Sequence, residues 1–177
     1  MESAQQLQPT ASMAAKGIRP MTQDDIIAFV IGLPGVVAVT ASEASGAPEI
    51  SWGDSFFFYD PDGDAATDRR MPFATIVTKD YDGFDTASNL NRPGVFRLNI
   101  AVGRTAFEEL IGHPPRAHAA RSARFDYTAL DQLVPHPAYA TQAWVAILNP
   151  GETTAALACS MLTDAHALAV QRHRRRT

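Results

Sequence analysis

The chain has 177 residues, 46% of them hydrophobic and 19% charged, with a formal net charge of −4. That length suits one domain around a single core, and the composition excludes a disordered chain. No apolar run is long enough to cross a bilayer, and Cys159, the one cysteine, excludes an intrachain disulfide.

A reducing cytosol is the expected compartment, since residues 1–20 also lack the apolar segment of a secretory signal. The charge is unevenly spread. Residues 21–170 hold 18 of the 19 acids but only 9 of the 15 bases. So acidic a body repels phosphate backbones, which argues against a nucleic-acid partner.

Residues 1–20 show no periodicity and read as a flexible leader. Thr22-x-x-Asp25 is a capping-box pattern, and Ile26, Ile27, Val30 and Leu33 follow at helical spacing until Pro34-Gly35. Val36–Thr40 reads as a short strand and Ser55–Tyr59, SFFFY, as an aromatic one. Asp60, Asp62 and Asp64 invite a calcium reading, but Gly63 stands fourth and Met71 twelfth, where an EF-hand needs glycine sixth and glutamate twelfth. A tight turn is expected there.

Pro72–Val102 reads as a central hairpin. In its second strand Phe96, Leu98, Ile100 and Val102 alternate with Val95, Arg97, Asn99 and Ala101. One set faces a core, and the other places an arginine and an asparagine together. The connection Asp80–Gly94 is longer than usual, a feature of functional loops, with a helical turn expected at Asp85–Leu90. Thr105–Ile111 reads as a short helix closed by Gly112, Tyr127–Leu133 as a helix or turn, and Trp144–Leu148 as a strand. Ala155–Val170 reads as an amphipathic helix with Leu157, Met161, Ala165 and Leu168 on one stripe, followed by a basic tail at 172–177. Cys159 falls within this helix and is expected as a small buried residue, not a nucleophile. The whole reads as a single α+β domain over 21–171, with an antiparallel sheet of about five strands and helices on one face.

Several segments together resemble a bacterial family of unknown function: GDSFFFYDPDG at 53–63, PFATIVT at 72–78, RPGVFRLNI at 92–100, and the PHPxYAxQxWVxxLNP pattern at 135–150. The resemblance covers about 21–170 and is specific as a set. The order of elements is also distantly similar to the MmcQ/YjbR-like proteins. That likeness implies an antiparallel sheet backed by helices and, through a double-wing shape, a nucleic-acid reading. Neither resemblance implies catalytic residues.

The candidate ligand-binding residues are Trp52, Asp54, Lys79, Arg97, Asn99, His136 and Tyr139. Arg97 and Asn99 make either a solvated sheet face or a polar floor for an anionic or carbonyl-bearing ligand, with the guanidinium as its fork. Trp52 and Asp54 bracket a glycine, where Asp54 can cap a turn; Lys79 and Asp80 end the first hairpin strand. His136, fixed between two prolines with Tyr139 and Gln142 close behind, either satisfies a loop carbonyl or serves as the candidate general base. His113 and His118 lack a third ligand at a recognisable spacing, so no metal and no cofactor are expected. The signatures of serine hydrolases, P-loop proteins, Rossmann dehydrogenases and zincins are missing from the sequence. Three readings follow: a binding module for a small polar or anionic ligand or a protein partner, a metal-independent enzyme using His136 and Arg97, and a double-wing nucleic-acid binder, which the acidic body disfavours.

Overall fold

Thr22 opens the first helix as the pattern predicts. Its hydroxyl accepts from the Asp25 amide at 3.1 Å, and the Asp25 carboxylate accepts from the Thr22 amide at 2.8 Å. Helix α1 (Gln23–Ile31) thereby aims Ile26 and Val30, both fully buried, at the sheet. The computed structural model describes residues 19–63 and 71–176. The expected leader up to residue 18, and Asp64, lie outside the described residues.

The fold is α+β, a six-stranded antiparallel sheet with three helices packed against it. The strands are β1 (Val36–Thr40), β2 (Ser55–Tyr59), β3 (Ala74–Val77), β4 (Arg97–Ala101), β5 (Leu133–Pro135) and β6 (Trp144–Leu148), in the order β1-β2-β3-β4-β6-β5. The expected hairpin is thus the centre of the sheet. The sixth strand is β5, of which only Leu133 falls in the helix or turn expected at 127–133. It has three residues, ends in a proline and lies at the sheet edge, the one place where a missing N–H is tolerated.

Register fixes two opposite faces. Phe57 pairs with Ala74, Ala74 with Ile100, and Ile100 with Val145, while Ile76 pairs with Leu98 and Leu98 with Ile147. All of these belong to the core shared with α1, helix α2 (Arg104–Ile111), which adds Phe107, and helix α3 (Ala155–Arg174), which adds Met161, Leu162 and Ala165. The other face carries the row Phe56, Thr75, Asn99, Ala146 and Val134, with Arg97 beside Asn99.

Two hinges of the chain are pinned by side chains. The Asp131 carboxylate accepts from the amides of Gly151, Thr153 and Thr154 and from the Thr154 hydroxyl, all between 2.6 and 2.9 Å, which ties the start of β5 to the approach of α3. Burial raises its pKa, but these hydrogen bonds outweigh that and hold it well below the usual carboxylate range. Helix α3 runs on to Arg174, so residues 172–174 of the expected C-terminal tail form its last turn, where cations suit the carbonyl end of a helix. The aspartate turn is tight, with Asp60 accepting from the Gly63 amide at 3.2 Å.

Leu98, fully buried at the middle of the central strand, sets the scale of the core. Leu98→Ala is expected to cost about 2–5 kcal/mol in urea unfolding. A cost below about 1 kcal/mol would place Leu98 on the wrong face.

Candidate functional site

Sheet alternation brings four of the expected site residues together. Arg97 and Asn99 share a face of β4. On the edge strand, Val134 lies on the same face and parity carries His136 there too; the ladder continues one step, with the His136 amide donating to the Trp144 carbonyl at 3.0 Å. The short turn after His136 then places Tyr139 beside it, ring centroids 4.8 Å apart.

This face is not solvated. Arg97 has no exposed surface, and Asn99, His136 and Asp85 are buried. The reason is the connection between β3 and β4, which folds back over the sheet. It forms no helical turn at Asp85–Leu90. Tyr81 and Asp85 exchange both backbone hydrogen bonds, at 3.0 and 2.8 Å, around Gly83 in the left-handed region at φ 72°, and Phe84 stands at the outer tip. Asp80 then accepts from the Leu90 amide at 2.7 Å, and Arg92 donates to the carbonyls of Ser88, Asn89 and Thr128.

That loop delivers Asp85 and Ser88 to Arg97. The guanidinium donates to both Asp85 oxygens, at 3.1 and 2.5 Å, to the Ser88 hydroxyl at 2.8 Å, and through Nε to the Asn99 carbonyl oxygen at 2.8 Å. Asn99 passes the chain on, donating to Thr75 at 3.0 Å. The expected arginine fork therefore exists, but the protein's own carboxylate fills it. Burial alone would raise the Asp85 pKa; the hydrogen bond and charge of Arg97 outweigh it, so the group titrates below its ordinary value.

His136 is held differently. Its Nδ1 accepts from the amides of Ala138 and Tyr139, both at 3.0 Å, while Nε2 lies 3.4 Å from Arg97 Nη2. Burial and the Arg97 charge pull its pKa down to about 3, partly offset by Asp85. The ring is neutral at ordinary pH and its one lone pair is already engaged, so it lacks the free lone pair a general base needs.

Above this floor is a cavity of about 310 Å³. Phe56, Tyr81, Phe84, Tyr139 and Trp144 wall it with aromatic surface, joined by Met71, Pro72 and Val77, and Gln142 adds an amide at the side. Phe84 (61% exposed) and Tyr139 (37%) form the rim, with ring centroids 5.9 Å apart. The size is near the lower end for small-molecule pockets, about 300–1,000 Å³, and apolar walls with a few polar groups suit such a site.

The other expected residues form a neighbouring cluster that does not line the cavity. Asp54, fully buried, accepts from the Thr78 amide at 2.8 Å, from the Thr78 hydroxyl at 2.9 Å and from the Tyr81 hydroxyl. Lys79 donates to the Trp52 carbonyl, and the Trp52 indole donates to Ala47 at 2.9 Å. These contacts anchor the root of the loop. They reach the cavity only through Tyr81, whose phenol pKa is pushed up by burial and by Asp54. Asp85, Ser88 and Thr75 escaped the sequence reading; Asp85 was visible there only as one acid among several in a polar loop.

His113 and His118 are buried with rings stacked at 5.4 Å, and His118 Nε2 meets the Tyr127 hydroxyl at 3.0 Å. Among the described residues no three His, Cys, Asp or Glu side chains converge in a metal-binding group, and no helix is long and apolar enough to cross a membrane. Cys159 is half-buried on α3, and burial pushes its thiol pKa up, away from the reactive thiolate.

Fold and site together define an α+β protein whose sheet is backed by helices on one face and roofed on the other by a loop closing a small aromatic cavity. The chain belongs to a family of unknown function, DUF6194, whose model matches residues 21–177. Comparison with curated proteins and with solved structures finds no match, so the distant likeness to MmcQ/YjbR-like proteins gains no support.

The ion pair predicts an asymmetry. Asp85→Ala leaves a buried guanidinium without a counter-charge and is expected to cost about 3–5 kcal/mol in urea unfolding, whereas the double change Asp85→Leu with Arg97→Met should cost less. If the double variant proves the worse, the pair is not the source of the penalty.

Acid should act on the same site. The folded His136 binds its proton far more weakly than an unfolded histidine at about 6.5. Its contribution is therefore complete above pH ~6.5 and is lost as pH falls towards ~3. Asp85, with its pKa lowered, adds a loss beginning near pH ~4. Denaturant midpoints measured from pH 7 to 4 should fall, and should fall less in His136→Asn.

Proposed function

We propose that this protein binds a small molecule in the aromatic cavity over Arg97, Asn99 and His136. The observation that carries this reading is a fully buried Arg97, held by Asp85, Ser88 and Asn99, forming the floor of a cavity whose walls are aromatic. A charge buried for stability alone is a poor use of such a pair, because well-packed apolar side chains do as well. What the network secures is a fixed polar floor, since every member is locked by another. The ligand has a flat apolar body that fits between Phe56 and the rim of Phe84 and Tyr139, and a polar end that meets the floor. The occupied lone pair of His136 favours binding over acid–base catalysis at that residue. Two acids of the β3–β4 loop serve the site itself: Asp85 pairs with Arg97 and Asp80 caps the Leu90 amide.

The test is a fragment screen by 1H–15N NMR on the full chain. Hits should perturb Phe84, Tyr139 and Trp144 together. Phe84→Ala, at a rim position 61% exposed, should leave the melting temperature within about 2 °C and weaken those hits. Hits that cluster elsewhere, or that ignore Phe84→Ala, would overturn this proposal. Duplex DNA should not bind below micromolar Kd at ~150 mM salt in fluorescence anisotropy.

A further inference from the structure

His136 and Arg97 together hold an unresolved pair of hydrogen-bond donors. A neutral imidazole has one N–H and one lone pair, and a guanidinium has five N–H groups and no acceptor. The amides of Ala138 and Tyr139 both point at His136 Nδ1 at 3.0 Å. Backbone amides cannot reverse their polarity, so Nδ1 carries the lone pair and Nε2 the proton. Nε2–H then faces Arg97 Nη2 at 3.4 Å, donor against donor. The other four guanidinium N–H groups already end on oxygens of Asn99, Asp85 and Ser88. Both residues border the cavity, His136 is 2% exposed and Arg97 not at all. Buried donors are almost always partnered.

We infer that the ligand's polar end is an uncharged acceptor oxygen, such as the carbonyl of an amide, ketone or lactone, shared by His136 Nε2–H and Arg97 Nη2. This rests on the small-molecule reading above and names the chemistry of that ligand. Charge balance selects an uncharged group. Asp85 already matches Arg97 through both its oxygens, and among the described residues the lining holds no further lysine or arginine. A carboxylate or phosphate would stand beside Asp85 without a counter-charge. An ammonium would meet two N–H donors, each unable to accept from it.

The experiment uses the full chain with 15N-labelled histidine and arginine. Two-bond 1H–15N spectra read the tautomer: the proton on Nε2 is expected, and a proton on Nδ1 overturns the inference. Benzamide, benzoate, benzylamine and ethylbenzene are then titrated as probes. Benzamide should bind about tenfold more tightly than the other three, the worth of one good hydrogen bond, and should shift His136 Nε2 and Arg97 Nη2. His136→Asn is the decisive variant. The asparagine Oδ1 lies one bond beyond Cγ, as Nδ1 does, so the Ala138 and Tyr139 amides keep their acceptor while the Nε2–H donor is deleted. The benzamide advantage should vanish and ethylbenzene affinity should stay. Tighter binding of benzoate, or a benzamide advantage that survives His136→Asn, overturns the acceptor site. Equal binding of ethylbenzene and benzamide also overturns it but leaves the pocket standing. No cavity shift with any probe overturns both.

Discussion

A guanidinium without exposed surface must find its partners inside the protein, and the outer face of this sheet is arranged to supply them. Arg97 draws on its own strand through Asn99 and on the β3–β4 loop through Asp85 and Ser88, and its remaining N–H faces His136 at the edge. Segments far apart in sequence thus converge on one side chain. Because a charged group cannot be left unpaired in a dry site, the loop has one acceptable position, with Asp85 over β4. The cavity exists because the loop is held there: its walls, Tyr81 and Phe84, flank Asp85 on the same tight turn. Asp54 adds a second restraint by holding Tyr81 from below.

The core half of the sheet was legible in the sequence because its physics is local. Alternation in Phe96–Val102 separates Leu98 from Arg97 without knowledge of any neighbour, and the capping box at Thr22 is a four-residue signal. Even the convergence of Arg97 with Asn99 follows from parity. The burial of that pair does not. Whether an arginine on the second face meets water or protein depends on where a long loop lands, and the loop's composition, rich in aspartate and asparagine, looks like solvent-facing chain. Asp85 differs from Asp80 and Asp82 only in its distance from Gly83, which turns the chain so that Asp85 points inward.

His136 stands out in the sequence for its two prolines and its titration, while what its ring nitrogens meet is set by the fold. Its position on the cavity face follows from β5, a strand of three residues ending in Pro135. A proline so placed argues against a strand in sequence reading, yet at an edge the missing N–H costs nothing. The protonation state follows from two amides that no periodicity reports, those of Ala138 and Tyr139. Trp52 and Lys79, chosen for their chemical types, donate from their side chains to the backbone carbonyls of Ala47 and Trp52 near the root of the loop.

The distribution of polarity across the site carries its own logic. A cavity meant for an anion would leave its cation unpaired and partly hydrated, ready to be neutralised by the ligand. Here the cation is neutralised in advance, and that neutralisation also fixes the roof. On the proposed reading the protein gives up charge attraction as a means of recognition and retains direction: donors aimed from the floor, aromatic planes at the walls. Direction discriminates strongly among neutral molecules of similar size, since a ligand without the matching oxygen leaves buried donors unpaired. Salt is therefore expected to leave such binding unchanged, because the charges involved are internal and close together. The cavity is set by geometry that folding has already completed, so on the proposed reading the stability of the β3–β4 loop and the selectivity for a ligand are one property measured in two ways.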